Sequence, residues 1–224
     1  FTLSEEQLSF QYSVRGIAER HLAEDNLRRA HQPSYPFDVA RLFAQHGLMG
    51  ITLPERDGGQ GGSLMDAVLA IEQVALVCPR SADVIQSGSF GPLRTFAEYA
   101  SAAQKKRYLS KLLNGEIIIA LGMTEADAGS AVTDLTTKAS PDGNGYRVTG
   151  GKVFTTNSPD AELFLVYVRF GDSIDGIGSV LMERDMEGFT FGNRGRCFSH
   201  VSGKVWFCEF DADLERKCNI CRSG

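Results

Sequence analysis

The reading of this chain turns on residues 114–121, Asn114-Gly115-Glu116-Ile117-Ile118-Ile119-Ala120-Leu121. Asn-Gly stops a helical pattern, and the run after it is short, apolar and β-branched, as a buried strand is. Upstream of this point apolar residues recur with the spacing of helix faces. Downstream they come in short runs punctuated by turn residues. Helices followed by strands define an α+β chain. The expected architecture is an all-helical N-terminal domain over 1–115, a small antiparallel β-barrel or sandwich over 116–214, and a tail over 215–224.

The helical half carries its own punctuation. Thr2 and Ser4 precede Glu5 and Gln7 at capping-box spacing, and Leu8, Val14, Ile17, Ala18 and Leu22 then recur on one face. Pro36 suits a first helical turn, with Phe37, Ala40 and Phe43 behind it and Gly47 as the stop. Ser63 and Asp66 open another helix, which ends no later than Pro79. Further helices are expected over 82–99 and 102–114. In the second half, strands are expected at 117–121, 163–168, 178–182, 189–191 and 205–210. The glycine pair Gly150-Gly151 between Tyr146–Thr149 and Lys152–Thr156 reads as a hairpin.

Composition narrows the function. Of 224 residues, 42% are hydrophobic and 23% charged, which is the balance of a globular domain. The net charge of −5 and the lack of a basic footprint argue against nucleic acid. The cluster Lys105-Lys106-Arg107 reads as a solvated helix face. No apolar run reaches the ~20 residues of a membrane span, and the opening FTLSEEQL has no signal-peptide pattern. Five cysteines, Cys78, Cys197, Cys208, Cys218 and Cys221, form no paired framework. Zinc would need two close ligand pairs, and only Cys218–Cys221 makes one. The histidines lack ligand spacing, so no metal is expected.

Two segments carry chemistry. Leu121-Gly122-Met123-Thr124-Glu125-Ala126-Asp127-Ala128-Gly129-Ser130 leaves a strand and enters a turn of small residues. Backbone N–H groups in such a turn can converge on a phosphate or a ring carbonyl, and Thr124 and Ser130 add hydroxyls. An ordinary strand-to-loop turn would have the same composition. The second segment is Gly151-Lys152-Val153-Phe154-Thr155-Thr156-Asn157. Phe154 and Thr156, two apart, would share one side of a strand and suit a flat aromatic cofactor, although plain sheet packing has the same pattern.

Together these segments resemble the acyl-CoA dehydrogenase family. The resemblance extends in order through Gly47-Leu48-Met49-Gly50-Ile51, Leu53-Pro54-Glu55, Gly58-Gly59-Gln60-Gly61-Gly62, Gln104–Leu109 and Leu112–Glu116. Met123-Thr124-Glu125 with Ala128-Gly129-Ser130 is similar to the family signature, and Phe154-Thr155-Thr156-Asn157 to its Trp-Ile-Thr-Asn. The resemblance implies a helical domain, a middle β domain and a C-terminal four-helix bundle that together bind FAD, commonly in a homotetramer or homodimer. It implies cofactor contacts from Leu121, Met123, Thr124, Gly129, Ser130, Phe154, Thr155 and Thr156. Met123 and Thr124 would meet the flavin's pyrimidine edge, Phe154 would pack on the ring system, and Thr156 would bond near N5. Ser130 would also lie near the substrate, and Ser87 and Phe90 would line the acyl pocket.

The implied reaction is α,β-dehydrogenation of an acyl-CoA or acyl-carrier thioester, with an electron-transferring flavoprotein as acceptor. The implied setting is the cytoplasm, or the mitochondrial matrix in a eukaryote. Three departures stand out. Ala131 replaces the usual acid, and Phe154 replaces the usual Trp. The residues from Asp211 onward fall about where the bundle would begin, so the family's catalytic glutamate has no counterpart here and Glu125 reads as a structural acid. If these 224 residues act alone, flavin binding should be weak or absent, without turnover. A flavin oxidase or monooxygenase on the same scaffold, or a non-catalytic truncated partner subunit, are the alternatives.

Overall fold

A computed structural model describes residues 2–143, 145–195, 205–215 and 219–221. It divides into two compact units, one running to Glu98 and over Ala102–Ile117, the other holding Tyr99–Ser101 and the described residues from Ile118 onward.

The helical unit contains α1 (Glu5–Leu22), α2 (Asn26–Ala30), α3 (Phe37–Gln45), α4 (Leu64–Ala75), α5 (Pro79–Ser89), α6 (Gly91–Tyr99) and α7 (Ala102–Leu113). Of the expected capping pairs, Ser4 and Gln7 bond reciprocally at the start of α1; Ser63 and Asp66, expected to open a helix, do so at the start of α4 with a reciprocal pair of their own. Gly47 ends α3 with φ of 69°, a left-handed conformation that costs glycine least. Packed α1, α4 and α5 bury Val14, Ala18, Leu22, Ala70, Val74 and Ile85, with Phe43 and Phe96 filling the space beside them.

Several local expectations are corrected. Pro36 precedes α3 as its N-cap; α4 ends before Pro79 as expected, and Pro79 itself opens α5 from its first turn, where a missing N–H costs nothing. The single helix expected over 82–99 is two, broken at Phe90, whose extended backbone leads into Gly91 at φ 55°. Cys78 is the buried N-cap of α5. The helix α2 had no expectation. Lys105 is not simply solvated, since its Nζ lies 3.0 Å from the Asp57 carboxylate.

The second unit holds β1 (Ile119–Gly122), β2 (Lys138–Asp142), β3 (Gly145–Lys152), β4 (Leu163–Arg169), β5 (Ile177–Glu183), β6 (Phe189–Gly195), β7 (Val205–Glu215) and β8 (Asn219–Cys221). They form one eight-stranded sheet ordered β6-β7-β3-β2-β4-β5-β8, with β1 added on β4. The expected barrel or sandwich is therefore an open sheet among the described residues. It is also not wholly antiparallel, because β1 runs parallel to β4, and β2 meets β4 in parallel at Lys138 and Arg169. The core is β4, buried over Leu163–Val166, with the Phe164 ring centroid 4.7 Å from that of Phe189 and 5.8 Å from that of Phe191.

No hairpin forms at Gly150-Gly151. Both glycines lie inside β3, and the turn falls earlier, between Asp142 and Gly145. Gly150 adopts φ of 150°, and Thr137 fills the place that a side chain would take. The strand expected to run through Thr156 stops at Lys152. Cys197 and Cys218 lie outside the described residues. Among the described residues, no helix is long and apolar enough to cross a membrane, and no cluster of three or more metal-ligating side chains occurs.

Candidate cofactor shelf

The two segments singled out in the sequence meet in the β unit. Beyond the ends of β1 and β3, the Val153 N–H donates to the Thr124 carbonyl at 2.8 Å. That bond sets Met123-Thr124 beside Val153-Phe154. The turn after them closes on itself, with the Glu125 N–H donating to the Ala128 carbonyl at 3.0 Å and the Ala128 N–H returning to Glu125 at 3.3 Å. Gly129 and Ser130 follow in the open, outside that reciprocal pair. A β-carbon on Gly129 would meet no atom within 4 Å. Neither packing nor a left-handed backbone explains the glycine there, which leaves clear space in front of the turn.

Phe154 and Thr156 do not share a strand face. Phe154 has φ of 57°, a left-handed conformation unfavourable for a residue with a β-carbon. The result for exposure is nonetheless alternating: Phe154 and Thr156 are exposed, and Thr155 between them is buried. Phe154 is 61% exposed, so a large apolar ring is held out to solvent at a cost in backbone strain. The Thr155 hydroxyl is buried without a hydrogen-bond partner, which does not place it on the exposed side with its neighbours.

Beneath this surface lies an ion pair whose cation, Lys152, had no expected role. Lys152 Nζ donates to Glu125 Oε1 at 2.7 Å and to the Met123 carbonyl at 3.1 Å. Glu125 Oε1 also accepts from the Thr137 N–H at 3.0 Å, while Oε2 accepts from the Thr136 N–H at 2.6 Å and its hydroxyl at 2.7 Å. Burial alone would raise the Glu125 pKa, but the bonds from Lys152, Thr137 and Thr136 outweigh it and hold the carboxyl at about 2. Burial draws Lys152 below the usual lysine value against the pull of Glu125. With the carboxylate held so low, the proton stays on the amine and the pair is ionised. A signal was present: Tyr146, Val148, Gly150 and Lys152 share one face of β3, and all but Gly150 of these are buried. The structural-acid reading of Glu125 agrees with these bonds.

The loop that returns from this turn is also pinned. The guanidinium of Arg169, at the end of β4, donates to the carbonyls of Leu135 and Thr133 on one loop and Asp172 and Ser173 on another. The other expected site residues are placed as follows. Leu121 pairs with Leu165 in the parallel β1–β4 register. Ser87 and Phe90 belong to the helical unit, where the Ser87 hydroxyl donates to the Val84 carbonyl at 3.1 Å and lies 3.4 Å from the Tyr35 hydroxyl. Phe90 caps α5 and is half-buried.

The β unit thus brings together an exposed ring, an exposed hydroxyl two residues on and an open small-residue turn, tied to a buried ion pair. Comparison with known proteins fixes the lineage. Residues 4–116 match the model for the acyl-CoA dehydrogenase N-terminal domain, and residues 120–204 that for the acyl-CoA dehydrogenase middle domain. The chain belongs to the acyl-CoA dehydrogenase family. It is 34% identical over 188 residues to mitochondrial isovaleryl-CoA dehydrogenase of Arabidopsis thaliana, covering 82% of this chain and 46% of that protein. It is 30% identical over 200 residues to 3-sulfinopropanoyl-CoA desulfinase of Variovorax paradoxus, covering 87% of this chain and 50% of that protein. The chain thus spans about half the length of the curated relatives it matches. The fold is that of a glutaryl-CoA dehydrogenase of Mycobacterium smegmatis solved in complex with FADH2, with a TM-score of 0.86 at 22% identity, over 99% of this chain and 56% of that one.

Proposed function

We propose that this chain supplies the helical and middle domains of an FAD-dependent acyl-thioester dehydrogenase. Phe154 carries the reading: its ring is 61% exposed on a left-handed backbone, an arrangement that gains nothing until a flat partner covers it. The residues fit a flavin. Phe154 offers a face to the ring system, and Thr156 a hydroxyl near its N5. Met123 and Thr124 offer the edge of the shelf to the pyrimidine, with Leu121 and Thr155 behind the two segments. Gly129 and Ser130 leave room for, and can bond to, a phosphate-bearing group of cofactor or substrate. Bound flavin would supply the capacity to accept a hydride, the protein contributing orientation and electrostatics.

Substrate and partners follow from the same reading. The substrate is an acyl thioester on CoA or a carrier, with Ser87 and Phe90 toward its acyl part. The acceptor is an electron-transferring flavoprotein, and the working form is a homodimer or homotetramer. No carboxylate of this chain is assigned the role of α-proton base. Hydrogen exchange with and without millimolar FAD tests the flavin reading, since it detects weak binding residue by residue. Protection should appear at Met123–Thr124 and Phe154–Thr156. Unchanged exchange at both segments under saturating flavin would refute it.

A further inference from the structure

The Lys152–Glu125 pair has a place in the molecule that stability does not explain. The two side chains are 0% and 6% exposed. Removing two charges from water costs several kcal/mol per ion, and well-packed apolar residues often do as well or better. The question is what these charges do that apolar side chains would not. Lys152 closes β3, and the chain then runs directly into Val153-Phe154. Its stem crosses to β1, a strand that does not pair with β3. Gly122 leaves room for the crossing, since a β-carbon there would lie 3.3 Å from Lys152 Cγ, a tight contact. The ammonium then reaches the Met123 carbonyl and the Glu125 carboxylate, while Glu125 gathers Thr136 and Thr137 of the returning loop. One ammonium therefore joins the segment bearing Met123 and Thr124 to the segment bearing Phe154 and Thr156.

We infer that Lys152 is a positioning residue for the flavin: by bonding the Met123 carbonyl and the Glu125 carboxylate from the end of β3, it locks the two cofactor-facing segments into one surface. The inference rests on the flavin reading above for its ligand, but the locking itself is a property of the chain. A directional tie of this kind is what an apolar pair cannot give, since hydrophobic contact carries no preferred angle. Without it, among the described residues, the Val153–Thr124 backbone bond is the hydrogen bond left to register the two segments against each other.

The experiment compares the wild-type chain with Lys152→Met, which keeps the length of the side chain, and with Val148→Ala, a cavity in the same strand away from the shelf. Hydrogen exchange is measured without ligand and in an FAD titration, at a temperature where all three are folded. In Lys152→Met without ligand, exchange should rise about tenfold or more at both Met123–Ala128 and Val153–Asn157 while β4 and β5 stay unchanged, and apparent FAD affinity should fall about tenfold. Val148→Ala should do neither. If Lys152→Met does not fold, Gly122→Ala replaces it, pressing on the lysine stem without removing charge, with the same pattern expected at smaller amplitude. Should the wild type show no FAD-dependent protection, the flavin reading fails, and the unliganded exchange alone decides whether the lock exists. If Lys152→Met matches Val148→Ala, or loosens one segment without the other, the inference is overturned.

Discussion

A β-carbon on Gly150 would fall 2.5 Å from the hydroxyl oxygen of Thr137, closer than real side-chain carbons come. The glycine also holds φ of 150°, so the site is closed to other residues by backbone and by packing at once. Gly150→Ala is expected to cost about 3 kcal/mol, or roughly 10 °C in Tm, from overpacking and strain together. Thermal denaturation followed by circular dichroism reads this directly. A shift of less than a degree would show that Thr137 yields.

Acid stability should carry the signature of Glu125. Its folded-state pKa, about 2, lies below the ordinary glutamate value, so its contribution is fully present above about pH 4.5. It is lost as pH falls from there toward 2. Glu125→Gln should therefore be destabilised at pH 7, with the gap to wild type narrowing over that range. Urea unfolding at pH 7, 4 and 2.5 measures it, and a constant gap would contradict the assignment.

Phe154 separates stability from ligand binding. Phe154→Gly removes an exposed ring and relieves a left-handed φ, while adding chain freedom to the unfolded state. Stability should stay within about 1 kcal/mol of wild type. Affinity for FAD, followed by flavin fluorescence, should fall about tenfold through loss of ring contact. A variant that unfolds but binds flavin as before would reverse this view of the residue.

At the other end of the chain, Ser63 accepts from the Asp66 N–H at the start of α4, and Asp66 accepts in return from the Ser63 N–H and hydroxyl. Ser63→Ala should cost about 1 kcal/mol in chemical denaturation. The backbone bond from Ser63, then its hydroxyl, hold the Asp66 carboxyl below its ordinary range. The Asp66 pKa, followed by NMR, should therefore rise in the variant.

The parts of this fold that could be read from sequence are those whose cause is local. Ser4 with Gln7, Ser63 with Asp66 and Gly47 each act within one helical turn, and the structure realises all three. Gly150-Gly151 misled because a glycine pair is the usual mark of a turn. Here the requirement comes from Thr137, 13 positions earlier in the sequence and brought alongside only by folding. The true turn signal, Asp142-Gly143 before Gly145, lay a few residues upstream. Phe154 and Thr156 were expected on a strand because alternation alone cannot show that β3 ends at Lys152. The Lys152–Glu125 bond spans 27 residues and leaves no periodic trace beyond one lysine on a buried face.

Arg169 ties two turns into a single mechanical object. Residues 133–135 and 172–173 are far apart along the chain, yet their carbonyls converge on one guanidinium. Neither stretch is free to change length by itself: an insertion in one would withdraw its oxygens and slacken the other. Any redesign of the surface beside the shelf has to treat the pair as one part with a single rivet.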